Sequence, residues 1–329
     1  MKLSSLLLGK YRRQTLVTVI LMSLWLFFIV ASPRTFLDAR IYRSFMSTIP
    51  VTTILALGMT FLIVAGEMDM SFPSLSAVSA LVFAWLHSPD GGNLPAWFSM
   101  LCALTAGGMM GAFNGLLVVR MGIPSIIATI GTQFFWRGAA LLLSGGKAIP
   151  LSAVRDGSLH RLFVGRTGPW EIPAQSLWAL GLAVFLGLMF NRHRYGEAVL
   201  FVGDKSSTAE MMGISVARTK GWLFVFMGLL SAFAGLLSTL EMNNWWPTQG
   251  DGYMLLVFAS VFVGGTSAHG GEGTLFGSFV GSIIIGVIEA GIISTGMDGL
   301  WTRWVHGLVI ILSMVIYSIL LKGRRRAIG

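Results

Sequence analysis

The sequence predicts an all-α polytopic membrane protein, a transmembrane helical bundle of about ten spans that includes short or broken helices. Three observations carry that prediction. Hydrophobic residues make up 54% of the 329-residue chain and charged residues only 11%, against about a quarter charged in a soluble domain. No single core of this size hides so much apolar surface from water, so lipid must solvate part of it. The apolar residues gather in runs, and the 41 glycines, 18 methionines and 11 tryptophans suit helix packing and interfacial anchoring in a bilayer.

A helix needs about 20 residues to cross the hydrocarbon. Lys2, Lys10, Arg12 and Arg13 precede the first apolar run, 15–31, in the manner of a signal peptide. The run exceeds the roughly 7–15 residues of a cleaved apolar region and further spans follow, so it reads as an uncleaved first helix. The remaining spans are 48–64, 74–86, 97–119, 125–143, 176–190, 221–240, 254–263, 274–293 and 304–321. Those at 74–86 and 254–263 are too short for a simple crossing. They read as broken or half helices, tolerated where protein covers their ends. No linker or soluble domain interrupts the chain, which reads as one transmembrane domain over 1–329.

Ten spans put both termini on one side. Fourteen Lys and Arg then fall on the side of the termini and eight on the other, with Arg137 inside a span. The bias places the termini in the cytoplasm, and the basic segment 191–220 carries most of it. The net charge of +9 is thus topology information. The basic residues flank apolar runs and form no stripe of the kind nucleic acid requires. The single Cys102 excludes a disulfide framework, and His87, His160, His193, His269 and His306 have no metal-ligand spacing. No cofactor is expected. The closest approach to a phosphate-binding loop, Gly145-Gly146-Lys147-Ala148, lacks the leading Gly and the hydroxyl residue, so the chain does not hydrolyse ATP by that route.

Gly107, Gly111 and Gly115 repeat every four residues, as do Gly273, Gly277 and Gly281. Such faces let helix backbones approach, and packing is the role we assign them. The most informative segment runs from Gly58 to Ser74 and holds Glu67, Asp69, Ser71 and Pro73 between two apolar runs. A carboxylate near the bilayer interior is expensive, so it is a functional candidate by default. Two roles are open to Asp69. It or Ser71 can cap the next helix, with Pro73 in the first turn, or Asp69 can line the solute path, where broken helices often end. Arg137 is expected to face protein or water and to pair with Asp69 or Glu67, the alternative being a side chain that reaches to an interface. In the basic segment, Ser207-Thr-Ala-Glu210 fits a capping box and Gly213 a left-handed helix end, giving a short helix that needs a surface to pack on.

At these residues a family resemblance becomes specific. Gly58-Met-Thr-Phe…Gly66…Asp69-Met-Ser71 resembles the signature of ribose-type ABC importer permeases. So do Gly111-Ala-Phe-Asn114-Gly115, Ile123-Pro124-Ser-Ile-Ile-Ala-Thr129-Ile-Gly131, and Gly203…Ala209-Glu210-Met211-Met212-Gly213. Gly264-Gly265-Thr266-Ser267…Gly270-Gly271-Glu-Gly273-Thr274 completes the set. The motifs occur in order between about Pro50 and Leu320. Glu67 replaces a usual Gly and Phe72-Pro73 a usual Val-Gly, which leaves the solute open within sugar-like molecules. The resemblance implies a permease subunit of the bacterial inner membrane that works with a second permease copy or sister. It also implies a cytoplasmic ATP-binding subunit docking near Ala209 to Gly213, and a periplasmic solute-binding protein. Two rivals remain: an ion-coupled secondary transporter using Glu67 and Asp69, and an intramembrane hydrolase using Ser267 and His306.

Overall fold

The computed structural model describes residues 12–326 except positions 156, 296 and 299, and side chains as far as Val315 apart from 12, 13, 153, 313 and 314. Lys2 and Lys10 lie outside the described residues, and the side chains of Arg12, Arg13, Lys322, Arg324, Arg325 and Arg326 outside the described side chains.

Helices dominate: α1 (Arg12–Ala31), α2 (Ala39–Val64), α3 (Phe72–His87), α4 (Ala96–Gly115), α5 (Ser125–Ser144) and α6 (Ala174–Arg192). They are followed by α7 (Arg194–Asp204), α8 (Ser206–Met211), α9 (Val216–Met242), α10 (Tyr253–Val263), α11 (Leu275–Ser294) and α12 (Leu300–Arg326). Extended structure is limited to two-residue ladders, Ile149–Pro150 against Asn244–Trp245 and Arg166–Thr167 against Ile172–Pro173. Among the described residues, seven helices are long and apolar enough to cross a membrane: α1, α2, α4 with the π turn Leu116–Arg120 that continues it, α5, α6, α9 and α11. The multi-pass, all-α bundle is therefore present, but ten crossings are not reached on length. Phe72–His87, Tyr253–Val263 and the apolar part of the last helix, Leu300–Leu312, are shorter.

Local chemistry sets the ends. Asp38 caps α2, its Oδ1 accepting the Arg40 N–H at 2.9 Å, and the Arg40 guanidinium holds the Asp38 carboxyl below its usual range. The α9 helix closes on Asn243 at φ 49°, one of few non-glycine residues that tolerate the left-handed region.

The centre consists of α2, α3 and α9, with α4, α10 and α11 packed around them. Of the apolar windows, α2's is 83% buried and α1's 17%, so α1 is a peripheral helix seated on α11. Close approach explains the glycine repeats. A Cβ at Gly111 would stand 2.2 Å from the Phe224 carbonyl oxygen, and one at Gly107 2.6 Å from that of Gly228, both on α9. Gly115 is the looser third contact, 3.2 Å from the Gly221 oxygen. On the other seam, Cβ atoms at Gly277 and Gly281 would meet the carbonyls of Gly264 and Ser260, at the end of α10, at 2.0 and 2.1 Å. One at Gly273 would strike Val64 Cγ2 at 2.5 Å. Hydroxyl pairs join α2 to α11 as well, Thr53 to Ser282 at 2.7 Å and Thr60 to Ser278 at 2.6 Å.

Candidate functional site

The chain breaks between α2 and α3, and the break is packed with polar groups. Gly66 turns the backbone at φ 80° after Val64, and Glu67 N–H returns to the Leu62 carbonyl at 2.9 Å. Asp69 is fully buried and accepts from Ser71 N–H at 2.7 Å and Ser71 Oγ at 2.6 Å. Asn114 Nδ2, on α4, donates to Ser71 Oγ at 2.7 Å and to Asp69 Oδ2 at 3.3 Å, while its Oδ1 accepts from Thr132 Oγ1 at 2.8 Å. Thr129 Oγ1 accepts the Met70 N–H at 2.9 Å, and Ser74 Oγ donates to the Gln133 carbonyl at 2.9 Å. Asp69 thus orders the start of α3, and the same knot binds that start to α4 and the first turns of α5. Ser71 occupies the cap position without a side-chain cap bond of its own; Pro73 stands in the first turn, where a missing N–H leaves nothing unpaired.

Glu67 projects the other way. Its Oε1 takes Lys220 Nζ at 2.6 Å, joining the break to the first turn of α9, with both side chains mostly buried.

A third set of contacts reaches the break from the segment 191–220. The Val64 carbonyl, one of the unpaired acceptors at the end of α2, accepts Gly271 N–H at 2.8 Å. Gly203, near the end of α7, lies against both: a Cβ there would be 1.7 Å from the Val64 oxygen and 2.7 Å from Gly271 N. Gly270 and Gly271, both at positive φ, form the turn before α11. Helix α7 is anchored by Tyr195, whose hydroxyl donates to the Thr219 carbonyl at 3.2 Å and whose phenol burial pushes up to about 12. It therefore stays a donor at any working pH. On α7 rides α8, with Ala209 fully buried beneath it and Gly213 ending it at φ 79°. Glu210 is exposed, and Met211 and Met212 present 81% and 57% of their surface.

Two expectations are corrected, and one rival reading is not supported. The capping box at Ser207 and Glu210 is not made: α8 begins one residue earlier, Lys205 holds the cap position, and Ser206 Oγ donates back to the Val202 carbonyl at 2.9 Å. Arg137 pairs with neither Asp69 nor Glu67. It forms an ion pair with Asp251 at 2.9 Å and donates to the Pro247 and Gln249 carbonyls at 2.8 and 2.9 Å. Position on α5 is the reason: Arg137 is twelve residues, about 18 Å, past Ser125, which touches the break through Met68 N–H. The serine–histidine pairing is also unformed. Ser267 lies in the turn before α11, whereas His306 sits against the Ile285 carbonyl, about 15 Å further along that helix.

One ionisable residue escaped the sequence reading. Glu289 stands in the last third of α11 within Ile-Ile-Ile-Gly-Val-Ile-Glu-Ala-Gly, and it lines a cavity at the end of the bundle opposite α8. The rule that singles out Arg137, an ionisable group inside a span, selects it equally.

The comparisons with known proteins agree with this architecture. The chain is 29% identical over 288 residues to the ribose import permease protein RbsC of Escherichia coli, covering 87% of each. It is 32% identical over 293 residues to the autoinducer 2 import system permease protein LsrC of an Enterobacter species, covering 88% of this chain and 82% of the relative. To the galactose/methyl galactoside import permease protein MglC of Haemophilus influenzae it is 27% identical over 303 residues, covering 88% and 90%. These relatives differ in solute while sharing a role as membrane permeases. A bundle of long apolar helices and a family profile matched over residues 41–314 together show that the chain is a transport protein of the branched-chain amino acid transport system / permease component family.

Proposed function

We propose that the chain is the permease subunit of a binding-protein-dependent ABC importer that moves a sugar or sugar-like small polar solute into the cytoplasm. In this reading it is one transmembrane domain of ten spans in the bacterial inner membrane with both termini cytoplasmic. It works beside a second permease copy or a sister permease. ATP is hydrolysed on a separate cytoplasmic subunit, and a periplasmic binding protein delivers the solute.

The observation that carries the proposal is the mounting of α8. Its exposed Met211 and Met212 suit a docking face, since methionine adapts its shape to a partner. Its support, α7, meets the α2–α3 break through Gly203 with no room for even a methyl group. A push on α8 therefore reaches Val64, the Gly271 turn and the Asp69 knot through backbone contacts. Those contacts suit a rigid relay between an ATPase and a broken helix, and relative movement of α3 and α11 about that break would alternate access to the path. Asp69 and Glu67 act in this reading as structural anchors, because hydrogen bonds engage both Asp69 oxygens and the Lys220 ion pair engages Glu67 Oε1.

The test is uptake of radiolabelled sugars into proteoliposomes that contain the permease, its ATPase and its binding protein. Uptake should require ATP and all three components. Met211→Glu with Met212→Glu should abolish both uptake and co-purification of the ATPase while leaving the permease folded. Uptake driven by an ion gradient with this chain alone would overturn the proposal in favour of a secondary transporter.

A further inference from the structure

A cavity of about 280 Å³ opens between α2, α9, α10 and α11 at the end of the bundle opposite α8. It adjoins a wider recess where Arg43 pairs with Glu171 and Arg166 with Glu241, and the two share Ser47, Thr48 and Glu241. Six hydroxyls line the cavity; Ser47 Oγ accepts Arg166 Nη1 at 2.8 Å, and neither Ser47 nor Thr52 donates its hydroxyl hydrogen to an acceptor among the described residues. Thr48 Oγ1 donates to the Ser44 carbonyl at 3.1 Å, and Ser282 Oγ donates to the Phe279 carbonyl at 2.7 Å. The hydroxyls of Ser238 and Tyr253, 3.4 Å apart, spend one hydrogen on each other. Glu241 accepts Arg166 Nη2 at 2.8 Å and keeps a second oxygen. Glu289 makes no hydrogen bond or ion pair among the described residues.

The lining therefore combines hydroxyls, half of which keep their hydrogens, with the carboxylate of Glu289, which has no ion-pair partner among the described residues. Glu289 lies five residues before the end of α11, about 7.5 Å in from that end. A carboxylate so placed needs water or a guest to solvate it. A guest that satisfies Glu289 must bring donors, and neighbouring hydroxyls on one small molecule bring them in pairs to a carboxylate.

We infer that this cavity is the outer subsite for the solute, where Glu289 accepts hydroxyls of an uncharged polyhydroxylated molecule and turns away sugar acids and sugar phosphates. That the guest is the transported solute rests on the importer reading above; the charge and acceptor character of the cavity does not.

The experiment places a reporter thiol in the cavity, Thr48→Cys in a Cys102→Ala chain, in the full-length protein reconstituted in nanodiscs. Cationic and anionic methanethiosulfonate reagents are compared, each rate divided by its rate with a free thiol. The cationic reagent should react about tenfold faster, and Glu289→Gln should bring the ratio close to unity. Millimolar ribose or galactose should slow labelling, and a sugar phosphate should not. Equal rates for the two reagents, or a bias that survives Glu289→Gln, would overturn the inference. The two proposals separate cleanly. Charge bias and polyol protection without ATP-driven uptake leave the cavity standing and sink the importer. ATP-driven uptake with a KM indifferent to Glu289→Gln does the reverse.

Discussion

Replacing Gly203 by alanine inserts one methyl group where three backbone atoms converge. Its carbon would lie 1.7 Å from the Val64 oxygen, 2.8 Å from the Val64 carbonyl carbon and 2.7 Å from Gly271 N, none of which can rotate aside. Reaching an ordinary contact of about 3.5 Å demands that α7 retreat by roughly 2 Å. Overpacking of this kind costs about 1–3 kcal/mol. The contact that joins α7 to the break thus loses about 1–3 kcal/mol, while Met211 and Met212 on α8 are untouched. In proteoliposomes with the ATPase and binding protein, Gly203→Ala should retain ATPase docking and hydrolysis but lower uptake to about a tenth or less. Gly181→Ala, whose new methyl meets nothing within 4 Å, is the control and should be neutral. Full uptake by Gly203→Ala would refute the reasoning, because α7 could then leave the break without consequence.

Two further outcomes follow from the polar contacts. Asp69→Asn converts one acceptor oxygen into a donor facing Asn114 and Ser71, so the thermal midpoint in detergent should fall by an amount equivalent to about 1–3 kcal/mol, with part recovered when Asn114→Asp is added. An unchanged midpoint for the single variant would mean that the knot does not hold α3. In a double-mutant cycle, Arg137→Met and Asp251→Asn should couple by about 0.5–1 kcal/mol, as for a partly exposed pair. Arg137→Met and Asp69→Asn should not couple, and comparable coupling in the two cycles would contradict the placement of Arg137.

The long helices were legible because an apolar run of about 20 residues has few other uses. The break at 65–71 was legible too, since Gly66, two carboxylates and Pro73 punctuate two such runs. Helix α7 was not. Its Arg194, Glu197 and Asp204 surround barely two turns of apolar residues, so it reads as part of a polar loop, and only burial of Gly196, Val199 and Val202 makes it a helix of the bundle. Pairing was the least legible feature. Sequence names the charged residues, but Arg137 finds Asp251 because α5 carries it away from the break, a consequence of helix direction. Ser207 and Glu210 match a capping pattern that loses to a helix start one residue earlier, where Ser206 bonds back to α7.

The contrast between α1 and α2 has a consequence for how the protein is built. One is mostly uncovered by the rest of the chain and the other is almost enclosed, yet their sequences are about equally greasy. Each must partition into the bilayer on its own before neighbours exist to cover it, so hydrocarbon content records an admission requirement and says nothing about final address. The address is carried by glycines that permit contact and by hydroxyls such as Thr53 and Thr60 that find Ser282 and Ser278 across the seam. Shuffling leucine, isoleucine and valine along α1 should therefore leave assembly intact, whereas moving a single threonine of α2 by one position rotates its hydroxyl off the seam and strands it in the interior.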